Sequence, residues 1–210
     1  MKKFFAVILF AVVLTITQTF ENISDENFEM KVFAATNEEL AQQKFDEATE
    51  FYNQENYQVA ISKFTEAIQL NPNDFWSYYG RAECYLALEN DSKAIADYSK
   101  AIEFEPNDPD LYFGRGQAYS YSKNENQAVS DFTKVINLKP NDEYAYFYRG
   151  CAYGNLKNYS QALLDFNKAI DLDPNFDRAY YARGVTYNAL GQYAKAEADL
   201  EKARQLGFEE

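Results

Sequence analysis

Tyr146-Phe147-Tyr148-Arg149-Gly150-Cys151-Ala152-Tyr153, followed by Ala162, Asp165, Phe166, Ala169-Ile170 and Pro174, is one copy of a pattern that fills most of the chain. Prolines stand at 72, 106, 140 and 174, each 34 residues after the last. Arg81, Arg115, Arg149 and Arg183 keep that step, as do Tyr85, Tyr119, Tyr153 and Tyr187. Ala60, Ala94, Ala128, Ala162 and Ala196 keep it too. Self-similarity at such a period marks a solenoid, whose units bury their apolar faces only against one another. The step divides the chain into units 41–74, 75–108, 109–142, 143–176 and 177–208.

Each unit reads as two amphipathic helices, over roughly positions 1–14 and 17–30, so the fold class is all-α. Polar turns such as Glu55-Asn56, Lys123-Asn124 and Gly191-Gln192 separate the two helices. Pro-Asn-Asp or, at 174–176, Pro-Asn-Phe separates the units. Proline stops the second helix and aspartate can cap the next. Position 8 is small (Ala48, Ala82, Gly116, Gly150, Gly184) and position 24 is large (Phe64, Tyr98, Phe132, Phe166, Leu200), which lets paired helices approach closely. Upstream, Thr36 and Glu39 have the spacing of a capping box for the first helix.

Comparing the units with one another yields a charge ladder. Units two to five pair Arg at position 7 with Asp at position 23, and unit one carries Glu47 and Lys63 instead. Both signs reverse together, so the two positions are expected to touch within one unit. The array also has an end. Positions 21 and 28 are aliphatic in four units and become Glu197 and Arg204 in the last, as a solvated cap requires. Cys84 and Cys151 lie on first helices four helix-steps apart, beyond the reach of a disulfide, and read as small packed side chains.

Net charge is −13. Such a surface repels nucleic-acid phosphates and favours a basic or neutral protein partner, or simply keeps a Tyr-rich chain soluble. Residues 1–35 read as a targeting segment with a polar spacer. Met1-Lys2-Lys3 precedes an uncharged run from Phe4 to Thr17, which is short for a membrane span and suited to a signal core. Cleavage after Ala34 or Ala35 would leave a soluble extracytoplasmic protein, periplasmic or secreted. Without cleavage, residues 4–20 remain as a membrane anchor.

The pattern resembles the tetratricopeptide repeat family. Tyr78, Ala82, Tyr85, Ala94, Tyr98, Ala101 and Pro106 match its motif in unit two, and Lys44, Val135 and the missing proline of unit five are mild departures. The likeness covers about four-fifths of the chain. It implies a right-handed superhelix of antiparallel helix pairs with a concave groove lined by first helices, and a protein- or peptide-binding function. By analogy with the family, positions 2, 5, 9, 12 and 13 line that groove. The candidate binding residues are therefore Phe45, Tyr79, Phe113, Phe147 and Tyr181 at position 5, with Trp76, Tyr144, Tyr52 and Tyr121 beside them. Rigid aromatics make strong interface anchors. The competing reading packs position 5 sideways as extra core. The Lys, Asn and Arg residues with which chaperone-binding members clamp a C-terminal carboxylate are absent, since Phe45, Thr49 and Asp110 stand in their places.

No enzyme is expected. The chain has no histidine, no phosphate-binding glycine loop and no nucleophile elbow, and no metal or cofactor is implied. Asn-x-Ser triplets at Asn22, Asn90 and Asn158 are chance features of a polar chain. The reading is an exported adaptor or scaffold that holds a partner segment with apolar anchors. The alternative is a structural subunit that self-associates and leaves the groove empty.

Overall fold

The computed structural model describes residues 26–209, with side chains from residue 36 onward. The uncharged run from Phe4 to Thr17 and the side chains of Ala34 and Ala35 lie outside the described residues. Ten helices follow one another, and there is no strand among the described residues. They are α1 (Glu26–Asn53), α2 (Tyr57–Leu70), α3 (Phe75–Ala87), α4 (Asp91–Phe104), α5 (Pro109–Tyr121), α6 (Glu125–Leu138), α7 (Glu143–Asn155), α8 (Tyr159–Leu172), α9 (Asp177–Ala189) and α10 (Tyr193–Gln205). Odd-numbered helices are the first helices of units, and even-numbered ones the second. Helices pack with their neighbours in sequence, and first helices also touch the first helices of adjacent units. None of the described helices is long and apolar enough to cross a membrane.

Short-range signals explain the boundaries. The side chains of Asp74, Asp108 and Asp142 accept backbone N–H bonds from the first turns of α3, α5 and α7. Pro109 occupies the first turn of α5, where its missing N–H has no helical partner to lose. Phe176 stands in the capping place before α9 and gives no side-chain cap. It is instead buried against Phe147, at a ring separation of 5.0 Å, so unit four exchanges a cap for core packing. The turn inside each unit takes one residue into the left-handed region: Glu55, Glu89, Lys123, Lys157 and Gly191, with φ of 56–71°. Thr36 does not stand at a helix start: it sits within α1, which begins at Glu26. Residues 26–35 hold no Gly or Pro, so nothing in their backbone preferences halts the helix at 36.

Within a unit, the large residue of the second helix presses on the small residue of the first. A Cβ on Gly150 would lie 2.7 Å from the Phe166 ring, and one on Gly116 would lie 2.9 Å from Phe132. Ala60, Ala94, Ala128, Ala162 and Ala196 are all buried at the facing position. At the far end Glu197 and Arg204 are exposed, whereas Ile136 and Ile170 at the second of those positions are buried by the following unit.

The charge ladder forms within units, as the reversal in unit one requires. Arg81–Asp97, Arg115–Asp131 and Arg183–Asp199 approach to 2.7 Å and Arg149–Asp165 to 2.8 Å, each with two N–H bonds to the carboxylate. The aspartates are buried. Each guanidinium also donates to the second helix of the preceding unit, at Thr65, Ser99, Thr133 or Asn167. Its face lies 5.3–5.8 Å from the tyrosine three residues before it in sequence. In unit one Glu47 replaces arginine, and Lys44 replaces that tyrosine. Lys63 bonds Glu47 at 2.9 Å and Lys44 bonds it at 3.0 Å, and together they hold its carboxyl down to about 2. The departure at Lys44 is thus the third member of one concerted exchange.

Candidate functional site: two clefts between first helices

The same positions build an open cleft at each end of the array. Near the N-terminal end, Phe45, Thr49, Tyr52 and Asn53 of α1 face Trp76, Tyr79, Gly80 and Glu83 of α3 across Phe64. Near the C-terminal end, Phe147, Cys151, Gly154 and Asn155 of α7 face Arg178, Tyr181, Ala182 and Val185 of α9 across Phe166. The first encloses about 270 Å³ and the second about 490 Å³. The larger one is also walled by Phe208 from the C-terminal tail, stacked on Tyr181 at 4.3 Å.

Local sequence explains why the clefts stand at the ends. Each needs a small residue at position 6 of the second of its two units, and Gly80 and Ala182 supply it. A Cβ on Gly80 would lie 2.4 Å from Phe64, so the floor ring already claims that space. Between units three and four, position 6 is Tyr148. It stacks on Phe132 at 5.7 Å and meets Phe113 edge-on at 5.3 Å, filling the gap. Between units two and three, the ring beneath is Tyr98 instead of Phe, and its hydroxyl reaches Glu83 and donates to it.

The position-5 aromatics are half-buried and combine both readings of the sequence. Phe45, Tyr79, Phe113 and Phe147 each rest on the position-24 ring of their own unit, with centroids 5.7–6.2 Å apart. Their remaining faces differ. Phe45 and Tyr79 line the N-terminal cleft with Tyr52 and Trp76, and Phe147 and Tyr181 line the C-terminal one. Phe113 is closed in by Tyr148 and joins neither cleft. Tyr121 lies in a separate hollow beside Leu86, Glu89 and Asp91, and Tyr144 leans on Phe176 at 5.0 Å. Trp76 is 52% exposed, Tyr144 50% and Tyr121 60%.

Sequence reasoning missed the polar and empty parts of these clefts. Glu83 was legible as an acid at a groove position, and Gly154 as the only glycine at position 12. Burial raises the carboxyl of Glu83 above its ordinary range, opposed by the Tyr98 hydrogen bond and reinforced by Asp110. Burial also raises the Tyr79 hydroxyl, with Glu83 and Asp110 adding to it. Cys84 and Cys151 are both free thiols. Burial, assisted by Glu83 for Cys84 and by Glu125 for Cys151, pushes each up to about 12. Cys84 is a buried packing group, and Cys151 is a half-buried wall of the C-terminal cleft.

Models of the tetratricopeptide repeat match residues 63–96, 84–120, 109–142, 143–176 and 166–198, without a gap from 63 to 198. No curated protein matches the chain. Among solved structures, MamA superposes with a TM-score of 0.75 at 20% identity, over 80% of this chain and 92% of that one. MamA from Desulfovibrio magneticus RS-1 gives 0.76 at 19% identity, over 79% and 94%. YrrB, a tetratricopeptide-repeat protein with an unusual peptide-binding site, gives 0.69 at 24% identity, over 78% and 84%. At these identities the likeness is one of fold. With the repeat matched continuously and its ring-on-small-residue packing present in unit after unit, this chain belongs to the tetratricopeptide repeat family.

Proposed function

We propose that the protein is an exported scaffold that holds a segment of a partner protein along its first helices, with apolar side chains of that segment seated in the two end clefts. The observation that carries this reading is the repetition of one open, aromatic-floored cleft from equivalent positions at both ends of the array. Exposed aromatic surface is costly to leave in water, and rigid rings are effective anchors. The net charge of −13 favours a partner with basic residues beside its apolar anchors. Export rests on Met1-Lys2-Lys3 and the uncharged run that follows. A catalytic role is not part of the proposal.

The test is photo-crosslinking in the native cell from p-benzoyl-phenylalanine at position 178, an exposed site on the wall of the C-terminal cleft where the other cleft has Trp76. A dominant foreign protein, lost on Tyr181→Ala, supports the scaffold. Crosslinks to other copies of the same chain replace it with the self-associating subunit. N-terminal sequencing of the mature protein tests export: a start near residue 35 or 36 supports cleavage, and an intact Met1 leaves the membrane-anchored form.

A further inference from the structure

The N-terminal cleft differs from its counterpart in holding a carboxylate. Glu83 projects into a space walled by Phe45, Tyr52, Trp76 and Tyr79. Its Oε1 accepts from the Tyr98 hydroxyl, and among the described residues no Lys or Arg pairs with it. The charged group that acts on it is another acid, Asp110. A half-buried carboxylate without a cation is an unfavourable arrangement for folding alone. The equivalent position of the other cleft is Val185, so the fold does not demand an acid there.

Aromatic walls around a carboxylate attract cations for two separate reasons. Ring faces carry negative electrostatic potential, and Trp is the strongest of them. The carboxylate adds a full charge and, at Oε2, a free acceptor for an N–H bond. Trp76 and Tyr79 meet nearly edge to face, at 6.1 Å and 80°, so their planes form two sides of a corner. An N–H-bearing cation satisfies both features. A quaternary ammonium satisfies only the rings.

We infer that the N-terminal cleft is a subsite for a basic side chain, lysine or arginine, of the partner polypeptide, held by Trp76, Tyr79 and Tyr52 and paired with Glu83. This deepens the scaffold reading and rests on it. The C-terminal cleft, with Val185 and Gly154 in place of Glu83 and Tyr52, takes the apolar anchor. One partner segment therefore presents a basic residue to one end of the array and an apolar residue to the other.

Trp76 is the sole tryptophan of the chain, so its fluorescence reports on this cleft alone. The full-length protein is titrated with N-acetyl-arginine N-methylamide, its neutral citrulline analogue and tetramethylammonium. The expected result is a saturable Trp76 response to the arginine probe, at least about tenfold weaker for the other two. Glu83→Gln, which keeps the shape and the bond from Tyr98, weakens the arginine response about tenfold, and Lys157→Gly, in a turn that lines neither cleft, leaves it unchanged. Equal responses to arginine and citrulline overturn the inference, as does an unaltered response in Glu83→Gln. So does silence at about 20 mM arginine probe, far above a millimolar dissociation constant. If the Trp76 response fails while crosslinking from position 178 persists, only this subsite is lost. If both fail, the scaffold reading falls as well.

Discussion

At the N-terminal end, Tyr52 and Trp76 narrow the space between two first helices and Glu83 gives it a carboxylate; at the C-terminal end, Gly154, Arg178 and Val185 occupy the equivalent positions and leave a wider space without an acid. The floors are the same, a phenylalanine on a second helix, buried to within 2% in both cases. The framework positions keep a small residue facing a large one and an ion pair in each of these units, reversed in sign in unit one, while the lining positions change in both size and charge. A stacked repeat separates these two tasks, because the residues that fix one unit on the next are not those that face the space between first helices. Several substitutions test how far that separation holds.

The largest effect is expected in the framework. Asp165 pairs with Arg149 in unit four, which walls the C-terminal cleft, and the aspartate is buried. Asp165→Ala leaves a guanidinium without its carboxylate in a low-dielectric site, and should cost about 3–5 kcal/mol in urea denaturation. The equivalent Glu47→Ala in unit one removes a more accessible carboxylate and should have a clearly smaller effect. Exchanging Arg149 and Asp165 should recover only part of the loss, because Tyr146 and Thr133 are arranged for a guanidinium. Adding Tyr146→Lys, after the Lys44 arrangement of unit one, should improve the recovery. Equal losses at Glu47 and Asp165 would break the comparison at its base.

Next comes the charge that distinguishes the clefts. Burial raises the carboxyl of Glu83, so its ionisation opposes folding. Wild-type stability from this group is complete below its unfolded pKa of about 4.5 and is lost as pH rises through the higher folded value. The groups facing it are Tyr98, Asp110, Tyr79 and Tyr52, none of which supplies a positive charge. Glu83→Gln should therefore raise the melting temperature at pH 7 and lose that advantage by pH 4. Val185→Glu should import the same dependence into the C-terminal cleft. A melting temperature of Glu83→Gln that tracks wild type across that range would show that Glu83 is freely solvated.

Smaller still is the effect of equalising the volumes. No atom lies within 4 Å of where a Cβ on Gly154 would stand, so a side chain can leave the backbone there, and Gly154→Tyr copies the Tyr52 of the other cleft. Removing a glycine from the last turn of α7 should add up to about 1 kcal/mol of stability. Crosslinking or binding through the C-terminal cleft should fall sharply nonetheless. Stability and binding moving in opposite directions is the signature of a lining position, and a loss of both would assign Gly154 to the framework.

Most of the framework was legible because every structural demand recurs at a fixed step: the prolines, the small residue facing a ring, and the reciprocal reversal at Glu47 and Lys63. The lining of the clefts was legible in its positions and less so in its shape. Positions 2, 5, 9, 12 and 13 do line the two clefts, yet Phe113 is closed off by Tyr148, one residue beyond its repeat equivalent. Whether a ring is open or covered depends on position 6 of the next unit, a residue that the periodic motif leaves unspecified. Thr36 misled for the opposite reason: a local capping pattern has no force where the chain before it continues as helix.

The smallest expected effect lies at the turns within units, which should be indifferent to which cleft they stand beside. Glu55 and Lys157 occupy the left-handed region at φ of 58° and 59°, in units one and four, and Gly191 takes the same place in unit five. A side chain there crowds its own carbonyl, a strain of roughly 1–2 kcal/mol. Glycine relieves that strain but gains about 0.4–1 kcal/mol of unfolded-state entropy against folding. Glu55→Gly and Lys157→Gly should therefore each stabilise by about 1 kcal/mol or less, and by the same amount within error. Neither should alter the Trp76 response or crosslinking from position 178. If Lys157→Gly stabilised and Glu55→Gly did not, the two ends would differ in framework as well as lining. Unit one would then owe its distinct charges, and with them the narrower cleft, to a different packing of the helix pair.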